Sequence, residues 1–394
     1  MSRKNTRNNT RLKVIKKTKL PSKITLSVPN TADNFYSYNI TGMITFQYQG
    51  EEFHCSSLLP HSDLKESDYL LEFLDSAYYQ LEDDIHSVYI EEKCVGVIIP
   101  LSFLSERDSD VIKSVKSFFQ RYADLGIRKI LSLNLLDKIE KYDFSIEELF
   151  PERNNLSVFV FDKSLLKKTD LMRYLPSLYD AGYCYVKDPL RLNQLYLSEL
   201  RKQEVEEKRR LKQVKIHLFD NMDYRHNATF YDELFVNILP YNTQLLYRYI
   251  MLYQTIEIFS SYASYNIFVD SSEKYSNHQI SQNDLREELH KSTTEKELIN
   301  KIFVNICSSG NYYDMFILSV SDLLNDIGYD CSKLKNYGQY MYAMRNRIVH
   351  ETRSLINHMD KMRKVVDLYE KTTILLLKDS GKIKMSSKKV RVIK

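Results

Sequence analysis

From about residue 37 apolar and polar positions alternate with a period of two: Tyr38 and Ile40, then residues 43 to 48, a turn at Gly50, and residues 53 to 59 returning. That alternation predicts a β-hairpin. Residues 68 to 82 carry Tyr69, Leu70, Phe73, Leu74, Ala77, Tyr78 and Leu81 at three-to-four spacing, which predicts a helix. Strands are expected at 87 to 91 and 94 to 101, then an amphipathic helix from about 108 to 124 that ends at Gly126. Residues 130 to 135 and 156 to 161 read as further strands, followed by a helix near 163 to 180. Asp188-Pro189 then punctuates the chain, because a residue before proline is pushed out of the helical region.

Residues 190 to 215 form a charged helical run with Leu192, Leu195, Tyr196 and Leu200 on one stripe, the pattern of a connector or an oligomer contact. Past Asn221 the period-two signal nearly vanishes. Helices are expected at about 230 to 238, 242 to 265, 281 to 306, 312 to 327, 333 to 356 and 358 to 378. The segment 242 to 265 has Leu245, Tyr249, Leu252, Ile256 and Phe259 on one stripe and Leu246, Ile250 and Tyr253 beside it. So broad an apolar face must be buried on two sides, which makes this the central helix of a bundle. Glu257 interrupts the second stripe, either as a core hydrogen-bonding group or as support for a nearby site.

The expected fold class is α+β. A basic tail (1–23) precedes a mixed α/β domain (24–188); a connector helix and linker (189–227), an all-α bundle (228–378) and a second basic tail (379–394) follow. No internal repeat links the two domains.

Charge sharpens this division. Residues 1–23 carry nine Lys or Arg and no acid, and residues 378–394 carry seven against Asp379 alone. With a net charge of +4 for the whole chain, the body between them is at −11. Basic tails gather phosphate backbones by counterion release, and solvated chain ends have the same composition. The five cysteines have no paired spacing, the N-terminus has no apolar signal core, and no apolar run is long enough to span a membrane. A cytoplasmic protein without a membrane partner is expected. None of the nine glycines builds a phosphate-cradling loop, which argues against a nucleotide-hydrolysing or dinucleotide-binding domain.

The chemistry-bearing residues lie in the segment 333 to 356, which contains Arg345, Asn346 and His350. At 100° per residue Met341, Met344, Ile348 and Thr352 share one helix face, and Asn346, His350 and Arg353 the opposite one. Asn346 stands four residues from His350, near enough to orient its imidazole, whereas Arg345 lies about 140° round the helix from it. Histidine exchanges protons near neutral pH, and a guanidinium fork matches phosphate oxygens. Those two groups suffice for RNA cleavage in which a ribose 2′-hydroxyl attacks the adjacent phosphate. Arg347 and Glu351 are explained by a surface ion pair.

Arg345-Asn346-x-x-x-His350 on a late helix of an all-α region resembles the signature of the HEPN superfamily. The resemblance covers roughly 228 to 378. It implies a metal-independent endoribonuclease that needs no cofactor and acts as a homodimer, with both motifs facing one cleft. Its RNA substrate would include tRNA, and its setting would be abortive-infection or other anti-phage defence. Arg345 would stabilise phosphate, Asn346 would orient, and His350 would act as general acid or base. The resemblance also implies that residues 24–188 sense a trigger, or hold the nuclease silent until one arrives. Two rival readings follow from the same residues. One is a non-catalytic HEPN module that binds RNA or protein; the other places a metal-dependent nuclease in the N-terminal domain around Glu91-Glu92-Lys93, an echo of an E-x-K core.

Overall fold

The computed structural model describes residues 35–38, 44–48, 51–55, 64–78, 80, 84–105, 117–131, 143–144, 146–150, 155–166, 171–190, 195–196, 199–219, 226–291, 294–306 and 311–379. The fold is mixed α+β. The predicted hairpin is present as β2 (Ile44–Tyr48) against β3 (Glu51–Cys55), with β1 (Phe35–Tyr38) antiparallel on the outer side of β2. The main sheet holds β4 (Tyr69–Ser76), β5 (His86–Ile90), β6 (Lys93–Pro100), β8 (Leu156–Asp162), β9 (Tyr183–Val186) and β10 (Gln213–Ile216) in the order β10-β5-β6-β8-β4-β9. A two-residue β7 (Asp143–Phe144) runs parallel to β3. The expected strands at 87 to 91, 94 to 101 and 156 to 161 are β5, β6 and β8.

Several expected elements differ. Residues 69 to 76 are a strand and not a helix: β4 lies between β8 and β9, with six consecutive residues from Leu71 to Ser76 buried. A central strand covered on both faces loses its alternation, so its apolar run mimics helical spacing. Its polar residues are satisfied from outside the strand: Tyr185 donates to Glu72 at 3.1 Å and Tyr241 donates to Asp75 at 3.1 Å.

Gly126 does not stop a helix. After α1 (Leu101–Ser105), α2 (Ser117–Leu131) runs straight through it, so residues 130 and 131 are helical; the remainder of the strand expected to 135, like the start of the helix expected from 108, lies outside the described residues. Gly126 lies within the helix beside Leu104 and does not reverse the chain; a Cβ there would make ordinary contact with Leu104. Of the helix expected over 163 to 180, residues 163 to 166 are instead a turn, residues 167 to 170 lie outside the described residues, and a 3-10 turn at Met172–Tyr174 leads into α3 (Leu175–Asp180), with Pro176 in the first turn.

The charged run also divides. Residues 199 to 209 form α4 (Glu199–Arg209), but residues 213 to 216 become β10, which pairs in parallel with β5. The connector therefore supplies an edge strand to the N-terminal sheet.

One face of that sheet, with Phe73, Val97, Ile99, Val158 and Val160, packs on α1 and α2. The other face, with Leu74, Ile98, Phe159 and Phe161, belongs to a single apolar cluster that continues through the helical region to Leu377. The helical region begins with α5 (Ala228–Glu233), which continues through a π-turn at Leu234–Ile238. It continues with α6 (Leu245–Ser276), α7 (Gln282–Lys291), α8 (Glu295–Ile306), α9 (Asn311–Asp326), α10 (Tyr337–His350), α11 (Thr352–Leu355) and α12 (Met359–Asp379). The single helix expected over 281 to 306 is two, α7 and α8. The expected central helix is α6: Leu245, Tyr249, Leu252, Tyr253, Ile256 and Phe259 are buried, while Ile250 is exposed. Among the described residues no helix is long and apolar enough to cross a membrane.

A buried polar latch joins the two regions. Arg248 of α6 is fully buried and donates to Glu370 of α12 and, at 2.6 Å, to the Leu239 carbonyl. Tyr179 of α3 donates to the other Glu370 oxygen at 2.7 Å, and the Arg201 guanidinium of α4 lies 3.3 Å from the Tyr179 ring centre. One residue further along α12, Lys371 donates to Asp180 at 2.9 Å and Glu204 at 2.6 Å. Tyr196 places its ring 4.1 Å from the Arg248 guanidinium and its hydroxyl 3.5 Å from Asp367. Burial, and then the charge of Glu370, push the Asp367 carboxyl up to about 7.

Breaking a buried ion pair on one side leaves the other charge stranded, so Arg248→Met is expected to destabilise the fold by about 3–5 kcal/mol in urea unfolding. The Arg248→Met/Glu370→Leu double variant should lose less than that single change. Asp367 binds its proton far more tightly folded than unfolded; its contribution is therefore greatest below about pH 4 and is lost as pH rises through about 7. The stability gap favouring Asp367→Asn over wild type should widen between about pH 5 and 7 and level off above 8.

Candidate functional site

Helix α10 carries the motif. Asn336 caps its start, its side chain accepting from the Gln339 N–H at 3.0 Å. Gly338 then lets the backbone run directly against the Lys296 carbonyl of α8, a space no Cβ can occupy. Met341, Ala343, Met344 and Ile348 are buried, which fixes the rotation of the helix. Asn346 is half-buried and His350 exposed, so the expected division of faces holds over this stretch.

The helix expected over 333 to 356 is interrupted. Its residues 331 to 333 form a 3-10 turn instead, and α10 ends at His350 because Glu351, at φ −135° and ψ 39°, leaves the helical region. The chain restarts as α11, so Arg353 is not on the same helix as His350. His350 is thus the last residue of its helix, with Val349 47% and Ile356 59% exposed beside it.

The three motif residues are not drawn into one cluster within a single chain. Arg345 donates to the Asn346 side-chain oxygen at 3.3 Å. Among the described residues no hydrogen bond or ion pair joins His350 to either of them. Arg345 instead faces the seam between α6 and α8. Glu257 there has its carboxyl pushed up by burial and by the charge of Glu295, and drawn down by the Arg345 guanidinium. Tyr253 donates to Glu295 at 2.6 Å. Glu257 is therefore half-buried in an acidic pair that confronts Arg345, and is not a deep core group.

On the Asn346 side the helix borders a groove of about 440 Å³ walled by Lys296, Tyr329, Lys333, Tyr342 and Arg347. Its cations rest on its rings: Lys296 Nζ lies 4.5 Å from the Tyr342 ring centre, and the Arg347 guanidinium 4.9 Å from that of Tyr329. Arg347 also makes the predicted ion pair with Glu351. Basic groups interleaved with aromatic faces suit a phosphate backbone and stacked bases. The motif search could not reach Lys296, Tyr329 and Lys333, which come from outside α10; Tyr342 lies on α10 itself, three residues before Arg345.

In the N-terminal region Glu91 and Glu92 sit exposed in the tight turn between β5 and β6, where Glu91 has φ +55° and Glu92 lies 3.6 Å from Lys215 Nζ. Among the described residues no group of three or more His, Cys, Asp or Glu is arranged to hold a metal ion. No family model, curated protein or solved structure matches this chain.

Because the Gly338 contact sets how closely α10 approaches α8, Gly338→Ala is expected to force the helices apart and lower stability by about 1–3 kcal/mol. An unchanged urea midpoint would mean that α10 does not lie against the Lys296 carbonyl.

Proposed function

We propose that this protein is a metal-independent endoribonuclease of the HEPN type, acting as a homodimer in anti-phage defence. The observation that carries the reading is that Arg345, Asn346 and His350 lie on the partly exposed side and at the end of a bundle helix, with Asn346 lining a groove that also holds Lys296 and Arg347 against aromatic rings. His350 accepts the 2′-hydroxyl proton or donates to the leaving oxygen, Arg345 stabilises the phosphate in the transition state, and Asn346 orients. Within one chain Arg345 and His350 point apart; a second copy docking over exposed Val349 and Ile356 brings its own histidine to the cleft. The Arg345 guanidinium lies in the electrostatic field of Glu257.

The second reading is a non-catalytic HEPN module that binds RNA or protein. It is favoured by the Arg345 to Asn346 bond, which leaves His350 without a partner from the motif. The third, a metal-dependent nuclease at Glu91-Glu92-Lys93, has only an exposed turn to support it.

Cleavage of total RNA and tRNA in EDTA separates them. Wild type should cut, and His350→Ala and Arg345→Ala should each lose about a hundredfold or more of the rate while keeping the wild-type circular dichroism spectrum. Cutting that survives both substitutions refutes the assigned site. RNA binding without cleavage supports the module, and chelator-sensitive cleavage lost in Glu91→Ala supports the third reading.

A further inference from the structure

Helix α6 runs for 32 residues, packs on α7, α8 and α12, and leaves one long side uncovered among the described residues. We propose that this side is the interface with a second copy of this chain, whose α6 lies against it antiparallel with Ser261 on the two-fold axis. The inference deepens the homodimer part of the nuclease reading and rests on that part alone, not on RNA cleavage.

The pattern is written in the sequence. Tyr247, Gln254, Ser261, Phe268 and Tyr275 recur every seven residues and are all exposed. Ile250 and Glu257 fall between them before Ser261, and Tyr265 and Ser272 after it, so the spacing away from Ser261 is four, three, four, three in both directions. At 100° per residue these positions occupy an arc of about 80° along about 42 Å of helix. A stripe that repeats every 3.5 residues is the seam along which two helices pack.

The chemistry of the stripe selects the partner. Glu257 is its one charged residue; Asp270 and Lys274, the exposed charges of α6, point to the opposite side, and Arg248 is buried. Such a face offers RNA phosphates no cation and the basic tails a single carboxylate, and presents rings instead, with Tyr265 48% and Phe268 54% exposed. The rings of Tyr247, Tyr265, Phe268 and Tyr275, with Ile250, expose on the order of 400 Å² per chain. Together with the polar positions between them, two copies bury the roughly 1,000 Å² that a specific interface needs.

The two-fold makes the stripe its own complement, because residues equidistant from Ser261 meet: Tyr247 with Tyr275 of the second copy, Gln254 with Phe268, and Glu257 with Tyr265, whose hydroxyl can donate to the carboxylate. Ser261 is small enough to let the helices approach closely at the axis. Glu257 shares its electrostatic field with Arg345, so the second copy's Tyr265 comes to the edge of the motif. Val349, one turn past Arg345 on the same side of α10, is exposed as well and continues the uncharged surface in that direction.

Sedimentation equilibrium of the full chain at about 10 μM should give a dimer. Ser261→Arg, which sets two guanidiniums against each other on the axis, and Phe268→Glu should each weaken it by more than about tenfold while keeping the wild-type circular dichroism spectrum. Ser261→Cys reads the register: mild oxidation should link two chains through position 261, as mass spectrometry of the linked peptide would show, because facing Cα atoms of a close helix pair come within disulfide reach. Tyr247→Cys should not link to itself, and should link when mixed with Tyr275→Cys. A monomer overturns the proposal, as does a dimer that withstands Ser261→Arg and Phe268→Glu, which would put the interface elsewhere and leave the homodimer reading standing. Failure of Ser261→Cys to link overturns the antiparallel pairing. A dimer that breaks and links as expected, in a chain that cuts no RNA, supports this surface while the nuclease reading fails.

Discussion

The carboxylate of Glu370 is where the architecture converges. It accepts from Arg248 on the central helix and from Tyr179 on a helix of the N-terminal region, and the connector's Arg201 lies within 3.8 Å of it. An isolated carboxylate in such surroundings would be prohibitively costly, and so would an unpaired guanidinium. Each makes the other tolerable, and Leu239, Tyr196 and Tyr179 complete the hydrogen-bonding and ring contacts around them. Because the partners belong to three parts of the chain, none can reach its buried state alone. Apolar burial drives association of sheet and bundle, and the polar cluster selects one arrangement from the many that apolar surfaces would accept.

That arrangement has consequences beyond the latch. Helix α12, anchored by Glu370 and Lys371, packs against α6 and α9 and so holds the bundle from which α10 projects. The same helix ends at a second cleft, where Lys378 joins residues of the sheet and connector. The motif lies beyond the opposite end of α12 and is reached through the helix itself, a rigid element.

How much of this is legible in the sequence depends on whether a residue's role is local. The helices of the bundle and the hairpin follow from periodicity, because one face of each meets the core. The orientation of α10 was readable for the same reason: Met341, Met344 and Ile348 declare the buried side. Strand β4 was not, since burial on both faces removed the alternation that marks a strand. Nor was β10, whose Gln213-Val-Lys-Ile has a half-buried alternation too short to stand out at the end of a charged helical run. Gly126 and Gly338 look alike as helix breakers. Both sit inside helices, and at Gly338 the Lys296 carbonyl leaves no room for a Cβ, a fact set entirely by tertiary packing.

The candidate site shows the same limit from the side of chemistry. Residue types and spacing identify Arg345, Asn346 and His350, but spacing also places Arg345 about 140° from His350, and the fold leaves them apart. What the sequence could not supply is the surrounding field: Glu257, singled out only as a break in an apolar stripe, carries its charge toward Arg345, and Lys296 and Lys333 share a groove with Asn346. Among the described residues Arg345 has no close ion pair, and its hydrogen bond goes to the neighbouring Asn346. The separation of Arg345 from His350 within one chain is then a constraint on assembly: chemistry that needs both groups at one phosphate requires a rearrangement of α10 or a second chain. The abrupt end of α10 at His350, next to exposed Val349, leaves that histidine open to solvent in a single chain.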